Sequence, residues 1–155
     1  MNYERVDASR ADQVAQLAVC LTNEISERVG VAAFDVDGQA TVARCEGYLR
    51  DGHYDVVGAF EGDDLIGFVA LCESRSLYAN GVFGIIQEFY VRPAYRSHGV
   101  GAELVEEAMA LARDRGWRRL ELCTPPVPEF DRTVAFYRAN GFEVTGGYKM
   151  KRHVE

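Results

Sequence analysis

A short glycine-containing turn carries the residue types of an anion-binding site. Its residues are Arg96, Ser97, His98, Gly99, Val100 and Gly101. The turn lies between an apolar run, Gly84 to Val91, and an amphipathic run, Ala102 to Arg113, so we expect a strand, a turn and the start of a helix. Glycines let the backbone approach a ligand, and the first N–H groups of a helix have no intrahelical acceptor. A phosphate group fits such a turn, although an ordinary glycine turn has the same pattern.

The composition indicates a globular protein and argues against some classes of partner. The 155 residues are 48% hydrophobic and 26% charged, which is enough for one core, so we expect a single domain over residues 1–155. No apolar run approaches the roughly 20 residues that span a bilayer, and no signal peptide is evident, so we expect a cytoplasmic protein without a membrane partner. The net charge of −7 opposes nucleic-acid binding and favours a cationic substrate.

The cysteines and histidines do not have the spacing of metal ligands. The cysteines are widely spaced, have apolar neighbours and form no C-x-x-C pair, which favours reduced and mostly buried thiols. They are Cys20, Cys45, Cys72 and Cys123. His53 and His153 are interpreted as surface residues, because neither has a second ligand-type side chain at a spacing that suits a metal ion. We therefore expect no bound metal.

Hydrophobic periodicity and turn residues predict seven strands and four helices. The predicted strands are Tyr3–Asp7, Asp55–Glu61, Leu65–Cys72, Phe83–Val91, Arg119–Cys123, Phe142–Thr145 and Tyr148–Lys151. The predicted helices are Ala11–Ile25, Ala40–Arg50, Ala102–Arg113 and Asp131–Asn140. Ser9 is a plausible N-cap of the first helix, and Gly116 is expected to end the third. Glu24–Gln39 and Ser74–Gly81 are interpreted as loops.

Two stretches of the sequence resemble motifs A and B of the GNAT superfamily of N-acetyltransferases. The first runs from Gln87 to Gly101 and the second from Phe136 to Phe142. They stand in the family's order, and the order of predicted elements extends the likeness over nearly the whole chain. The resemblance implies an α/β protein with the GNAT acyl-CoA N-acyltransferase fold, a central mixed sheet of about seven strands flanked by about four helices.

The resemblance also implies acetyl-CoA as the cosubstrate. Backbone amides of residues 96–101 would hold its pyrophosphate at the helix N-terminus, and Arg96 would add a guanidinium. His98 would have a positional role in this turn. The pantetheine arm would pair with strand residues, as a peptide adds to a sheet edge. These residues are Phe89, Tyr90 and Val91. A bulge at Tyr90 or Val91 would turn a backbone N–H toward the thioester oxygen.

The implied reaction needs a base for the amine and an acid for the departing thiolate. Tyr137 matches the family's tyrosine in motif B and is the implied acid; an aromatic packing role, like that of Phe136, is the alternative. Glu88 stands where many GNAT enzymes carry a carboxylate that activates the amine. A carboxylate inside a strand is costly unless it is paired, so Glu88 is a candidate base or a structural partner of an arginine or lysine. Phe130 replaces the asparagine often found seven residues before the tyrosine.

The implied function is acetyl transfer to a primary amine of a small, cationic molecule by direct attack on the thioester. Two alternatives stay open: a protein or peptide N-acetyltransferase, and a non-catalytic acyl-CoA-binding regulatory module. Phe34–Asp37 and Ser76–Tyr78 fall in loops that frequently border the acceptor pocket in this fold. By analogy with the family, Tyr148–Arg152 offers an edge for a homodimer.

Overall fold

One mixed five-stranded sheet organises the first part of the computed structural model, which describes residues 1–30 and 37–155. The strands follow the order β1-β2-β3-β4-β5. Their bounds are Asn2–Val6 (β1), Asp55–Glu61 (β2), Asp64–Ser76 (β3), Gly81–Val91 (β4) and Leu120–Leu122 (β5). Neighbours are antiparallel from β1 to β4, whereas β5 runs parallel to β4 and pairs only with Gly84–Ile86. The mixed sheet confirms the predicted fold class.

Four α-helices of the described residues accompany the strands. Their bounds are Ala11–Val29 (α1), Gly38–Arg50 (α2), Val100–Arg115 (α3) and Asp131–Ala139 (α4). The prediction of Ser9 as the first N-cap is wrong. The carboxylate of Asp7 accepts from the Ser9 amide at 2.9 Å and caps a 3₁₀ turn that leads into α1. Gly116, with a φ of 71°, ends α3 as predicted.

The two helices α1 and α2 pack on one face of the sheet. Val14 and Leu17 of α1 share a buried cluster with Cys45 of α2 and with sheet residues that include Phe68 and Tyr90. Side chains alternate between the two faces of a strand, so their strand neighbours, such as Val69, point to the opposite face. Helix α3 contacts β2, β3 and β4. The buried residues of α3 do not belong to the cluster formed with α1 and α2, so α3 packs on the opposite face of the sheet. The sheet is therefore covered by helices on both faces.

The predicted loop Glu24–Gln39 is only partly described by the structure, and its first residues are helical. Helix α1 continues to Val29, so the predicted loop begins six residues too early. Residues 31–36, and with them the acceptor-loop candidates Phe34 to Val36, are outside the described part of the chain. Asp37 is described, and its carboxylate accepts from the amides of Gln39 and Ala40 at the start of α2.

The chain forms two compact units, Met1–Leu122 and Cys123–Glu155. The second unit contains α4, where the ring of Tyr137 contacts the rings of Phe136 and Phe142. The predicted hairpin over residues 142–151 is wrong, because the structure assigns no strand there and the sheet therefore has five strands instead of seven. Tyr148 and Met150 are exposed, and a two-stranded hairpin without a packed face is marginal in water.

None of the helices within residues 1–30 and 37–155 has the length and apolar composition needed to cross a bilayer.

Candidate active site

The turn between β4 and α3 has the geometry of an anion-binding site. Ser97 and Gly99 adopt left-handed backbone conformations, with φ values of 65° and 84°. The first bond of the helix runs from the Glu103 amide to the Gly99 carbonyl at 3.1 Å, so the amides of residues 100–102 precede the intrahelical ladder. A Cβ placed on Gly99 would meet no atom within 4 Å. Open space therefore lies beside a helix N-terminus, where partial positive charge attracts an anion.

Arg96 contacts the framework of this turn. Its Nε donates to the Val91 carbonyl at 2.8 Å, and its terminal nitrogen forms a 2.9 Å ion pair with Glu24 of α1. The guanidinium carbon also lies 5.2 Å from the centre of the Tyr90 ring, and the Arg96 amide donates to Pro93. In this structure the guanidinium therefore ties α1 to the end of β4. His98, by contrast, is exposed.

The end of β4 offers backbone groups on the side away from β3. The Arg92 amide donates to the Ile66 carbonyl of β3 at 2.8 Å. Hydrogen bonding alternates along an antiparallel strand, so Tyr90 directs its backbone groups to β3, whereas Phe89 and Val91 direct theirs to the opposite edge. Since β5 pairs with β4 only as far as Ile86, no described strand pairs with that edge beyond this point. An amide-bearing chain fits such an edge.

A β-bulge in β4 lies at Gln87, so the prediction of a bulge at Tyr90 or Val91 is wrong. Ile86 pairs with Leu71 and Glu88 with Ala70, which leaves Gln87 as the extra residue, while the pairing from Glu88 to Val91 is regular. An extra residue reverses the alternation of side chains that follow it. Glu88 therefore joins Ala70 and Tyr90 on the face covered by α1 and α2.

On that face the carboxylate of Glu88 is held by the phenol of Tyr54, which directly precedes β2. The phenol oxygen lies 2.9 Å from Oε1 and 3.0 Å from Oε2. Burial raises the pKa of Glu88, and the hydrogen bond from Tyr54 offsets part of that effect. Burial and the charge of Glu88 also raise the pKa of Tyr54, so the phenol stays protonated and acts as the donor. This arrangement suits a proton acceptor in a partly desolvated place.

Two cysteine thiols lie near Glu88 and are held in the neutral form. Burial, and to a lesser extent the charge of Glu88, raises the pKa of Cys45 in α2 to about 11. The same two causes raise the pKa of Cys72 in β3. The thiolate is the nucleophilic form of cysteine, so neither thiol is activated for attack at neutral pH. In the described part of the chain, no three His, Cys, Asp or Glu side chains are grouped as metal ligands.

The second unit holds Tyr137. Its side chain is buried, and burial raises the pKa of the phenol, so Tyr137 is protonated at neutral pH and able to donate. Phe130, at the position where motif B often has an asparagine, is also buried and stands immediately before α4. Its apolar ring cannot replace the amide group of an asparagine.

Tyr54 and Glu24, the partners of Glu88 and Arg96, are not among the residues that the sequence predicts for the site. Tyr54 belongs to no motif and lies 34 positions from its partner, so only the cost of an unpaired carboxylate in a strand pointed to such a residue. Glu24 is 72 positions from Arg96, at the boundary between the predicted first helix and the predicted loop, so no local pattern joins the two residues. Among the acceptor-loop candidates, Tyr78 donates to Glu121 of β5 at 3.2 Å.

Comparison with known sequences gives one family and one curated relative. The model of the Acetyltransferase (GNAT) family matches residues 15–142. An uncharacterized N-acetyltransferase of Archaeoglobus fulgidus is 35% identical over 75 residues, which are 47% of this chain and 50% of that protein. The match thus spans about half the length of the curated relative.

Two solved structures with the same fold have names that refer to different molecules. A ribosomal-protein-alanine N-acetyltransferase from Brucella melitensis biovar Abortus 2308 superposes with a TM-score of 0.73 at 20% identity, covering 99% of this chain and 100% of that one. An aminoglycoside acetyltransferase from an uncultured soil metagenomic sample, in complex with trehalose, gives a TM-score of 0.73 at 15% identity, covering 97% and 96%. At these identities the likeness shows the fold alone.

Proposed function

The chain belongs to the Acetyltransferase (GNAT) family, and from this premise we propose that it transfers the acetyl group of acetyl-CoA to a primary amine of a small, cationic molecule. The observation that carries the proposal is the turn at Gly99, where open space meets the N-terminus of α3. The amides of residues 97–101 would bind the pyrophosphate. The backbone groups of Phe89 and the amide of Val91, whose carbonyl already accepts from Arg96, would pair with the pantetheine arm. The family match includes residues of both units, so we propose that they work as one domain.

Direct attack by the amine is the mechanism that the first unit supports. Glu88 would accept a proton from the ammonium group of the acceptor, and the neutral amine would then attack the thioester carbon. The carbon–sulfur bond breaks as the tetrahedral intermediate collapses, and the acetyl group stays on the amine. Transfer through an acetylated cysteine is less well supported, because the thiols of Cys45 and Cys72 are neutral.

Tyr137 is the proposed acid for the departing CoA thiolate. Its place in motif B and its protonated phenol support this role. A thiolate is ordinarily a weaker base than a phenolate, so the phenol would pass its proton to the departing sulfur while the proton lost by the acylated nitrogen restores the phenol, and no free phenolate has to accumulate. Replacement by phenylalanine is therefore expected to lower kcat by roughly 10²- to 10⁴-fold, with acetyl-CoA affinity little changed.

A cationic acceptor is favoured by charge. The chain carries 24 acidic and 17 basic side chains, and its half-buried carboxylate at Glu88 would attract an ammonium group. One structural neighbour is an aminoglycoside acetyltransferase, and aminoglycosides are polycationic amines. Another neighbour is named for the alanine of a ribosomal protein, so the assay also has to include peptide N-termini.

The proposal is tested first by titrating acetyl-CoA and ATP into the wild type and into Gly99→Glu by isothermal calorimetry. A carboxylate at residue 99 would stand a few ångströms from the pyrophosphate. Repulsion between two charges about 4 Å apart near a protein surface is of the order of 4 kcal/mol before salt screening, so we expect acetyl-CoA to bind at least about 100-fold more weakly. ATP is expected not to displace acetyl-CoA.

Gly116→Glu is the matched control for this substitution. Gly116 also has a positive φ, 71°, and open space at its Cβ position, but it stands at the other end of α3. Both variants are expected to lose about 1–2 kcal/mol of stability through the left-handed conformation, and only Gly99→Glu is expected to lose acetyl-CoA. Equal affinity in both variants would overturn the placement of the pyrophosphate.

The acceptor is then sought by following release of the CoA thiol with a panel of amines. Polyamines, aminoglycosides and amino acids form one set, and peptides with free N-termini form the other. Turnover with the first set supports the proposal, whereas turnover with peptides alone makes the protein a peptide N-acetyltransferase. Tight binding of acetyl-CoA without turnover in either set would identify a binding module.

A further inference from the structure

The phenol of Tyr54 and the carboxylate of Glu88 form an isolated pair on the sheet face covered by α1 and α2. Tyr54 lies at a similar distance from both carboxylate oxygens, 2.9 and 3.0 Å. None of the ion pairs found among the described residues includes Glu88. Within the described ranges, the phenol of Tyr54 is therefore the side chain that donates a hydrogen bond to this carboxylate.

The other titratable groups that face Glu88 do not provide positive charge. Cys45 belongs to α2 and Cys72 to β3, and both thiols are neutral at neutral pH because burial and the charge of Glu88 raise their pKa values. The Tyr54 phenol is protonated for the same reasons. Within residues 1–30 and 37–155, Glu88 therefore changes its protonation beside neutral thiols and a neutral phenol, and the hydrogen bond from Tyr54 favours its charged form.

Packing and a backbone hydrogen bond hold Tyr54 in place. Its ring lies 5.1 Å from that of Tyr48 in α2, centre to centre. Its backbone amide donates to the Tyr48 carbonyl at 3.2 Å, just before β2 begins. The ring and the backbone are thus fixed to α2, so the position of the phenol oxygen is determined by the fold before any acceptor binds.

We propose that Tyr54 is a positioning residue for amine activation: it holds the Glu88 carboxylate so that one oxygen takes the proton of the acceptor while the other remains bonded to the phenol. This proposal rests on the proposed function of Glu88. When the ammonium N–H bond breaks, its proton passes to one oxygen of Glu88 and its electron pair stays on nitrogen for attack on the thioester. The phenol keeps its own proton throughout and donates it to the second oxygen.

The pH dependence of kcat/KM separates this role from a structural one. Tyr54→Phe keeps the ring and removes the donor, so the charged form of Glu88 loses its hydrogen bond and the carboxyl holds its proton to higher pH. We expect the acid limb of kcat/KM to move up by about one pH unit. Tyr95→Phe is the matched control, because it removes a 3.1 Å bond from another phenol to the exposed Glu61. It should leave the limb in place.

A double-mutant cycle with Glu88→Gln tests whether Tyr54 acts through Glu88. In the Glu88→Gln background, Tyr54→Phe is expected to change kcat/KM by less than about 3-fold, since the group that it serves is gone. Equal losses in both backgrounds would overturn the proposal. Carboxyl ¹³C NMR of Glu88 in the free protein gives a readout without turnover, and the titration should move up in Tyr54→Phe but not in Tyr95→Phe.

Thermal unfolding and acetyl-CoA titration establish that each variant is folded. If the wild type transfers acetyl groups and Tyr54→Phe leaves both the pH profile and the Glu88 titration unchanged, the positioning role is wrong and the proposed function stands. If the Glu88 titration moves but the wild type acetylates no amine in the panel, the pair exists as described and the proposed function fails.

Discussion

Replacing Glu88 with glutamine is expected to make the protein more stable and less active. Burial raises the pKa of Glu88, so in the pH range between its unfolded and folded values the folded state binds more protons than the unfolded state. Stability therefore falls as pH rises through that range, and above it the buried charge costs stability. Glutamine has the same shape and no charge, and its side-chain oxygen still accepts from Tyr54.

The size of the stability gain follows from two opposing effects. Full burial of a carboxylate costs several kcal/mol, whereas a hydrogen bond to the charged group returns about 1.5–3 kcal/mol. Glu88 is only partly buried and both of its oxygens lie within hydrogen-bond distance of Tyr54. We therefore expect a gain of the order of 1 kcal/mol at pH 8, which disappears at a pH below the ordinary range of a carboxyl group, where both side chains are neutral.

The activity should change in the opposite direction. Loss of a general base lowers kcat/KM by about 10²–10⁴-fold at neutral pH. The loss should shrink as the pH approaches about 10, the ordinary pKa of an amine, because the acceptor then loses its proton to water. Wild-type activity at neutral pH would refute the catalytic role of Glu88 and leave it as a structural residue.

Urea unfolding at low and high pH, together with initial rates of thiol release, measures both effects. Glu61→Gln is the control, since Glu61 is exposed and accepts from the Tyr95 phenol at 3.1 Å. Its stability should change by less than about 0.5 kcal/mol at either pH. A Glu88→Gln variant that is less stable than the wild type at pH 8 would show that the carboxylate is stabilising and that the sign of the argument is wrong.

Two further predictions concern the strand and the ion pair that support the site. Gly84→Ala would place a Cβ too close to two ring carbons of Trp117 and 2.8 Å from Leu120, so we expect urea unfolding to show a loss of about 1–3 kcal/mol. Gly47→Ala, in open space on α2, should gain up to about 1 kcal/mol. Arg96→Ala and Glu24→Ala should each destabilise the protein, with a coupling of about 1 kcal/mol in a double-mutant cycle. If Arg96 also binds pyrophosphate, calorimetry will show weaker acetyl-CoA binding in Arg96→Ala than in Glu24→Ala.

The sequence predicted correctly those strands and helices whose characteristic pattern lies within a few neighbouring residues. Alternating and β-branched residues located the hairpin of β2 and β3, with β2 at its observed bounds, Asp55–Glu61. The glycine at position 99 and the amphipathic run after it located the start of α3. The C-terminal hairpin failed because turn chemistry at Gly146 and Gly147 indicates where a chain can reverse, and both residues do have positive φ, but not whether two strands find a sheet to pack against.

The chemistry of the candidate site depends on contacts that no local pattern encodes. An acid in a strand was visible in the sequence as Glu88, but the face to which it points depends on a single extra residue. Without the bulge at Gln87, strict alternation from Ile86 would place Glu88 on the α3 face, away from Tyr54. A bulge is a feature of the pairing between two strands. It is therefore visible in their register but not in the sequence of either strand alone. The sequence therefore indicates Glu88 as the candidate base, whereas its partner and its orientation required the fold.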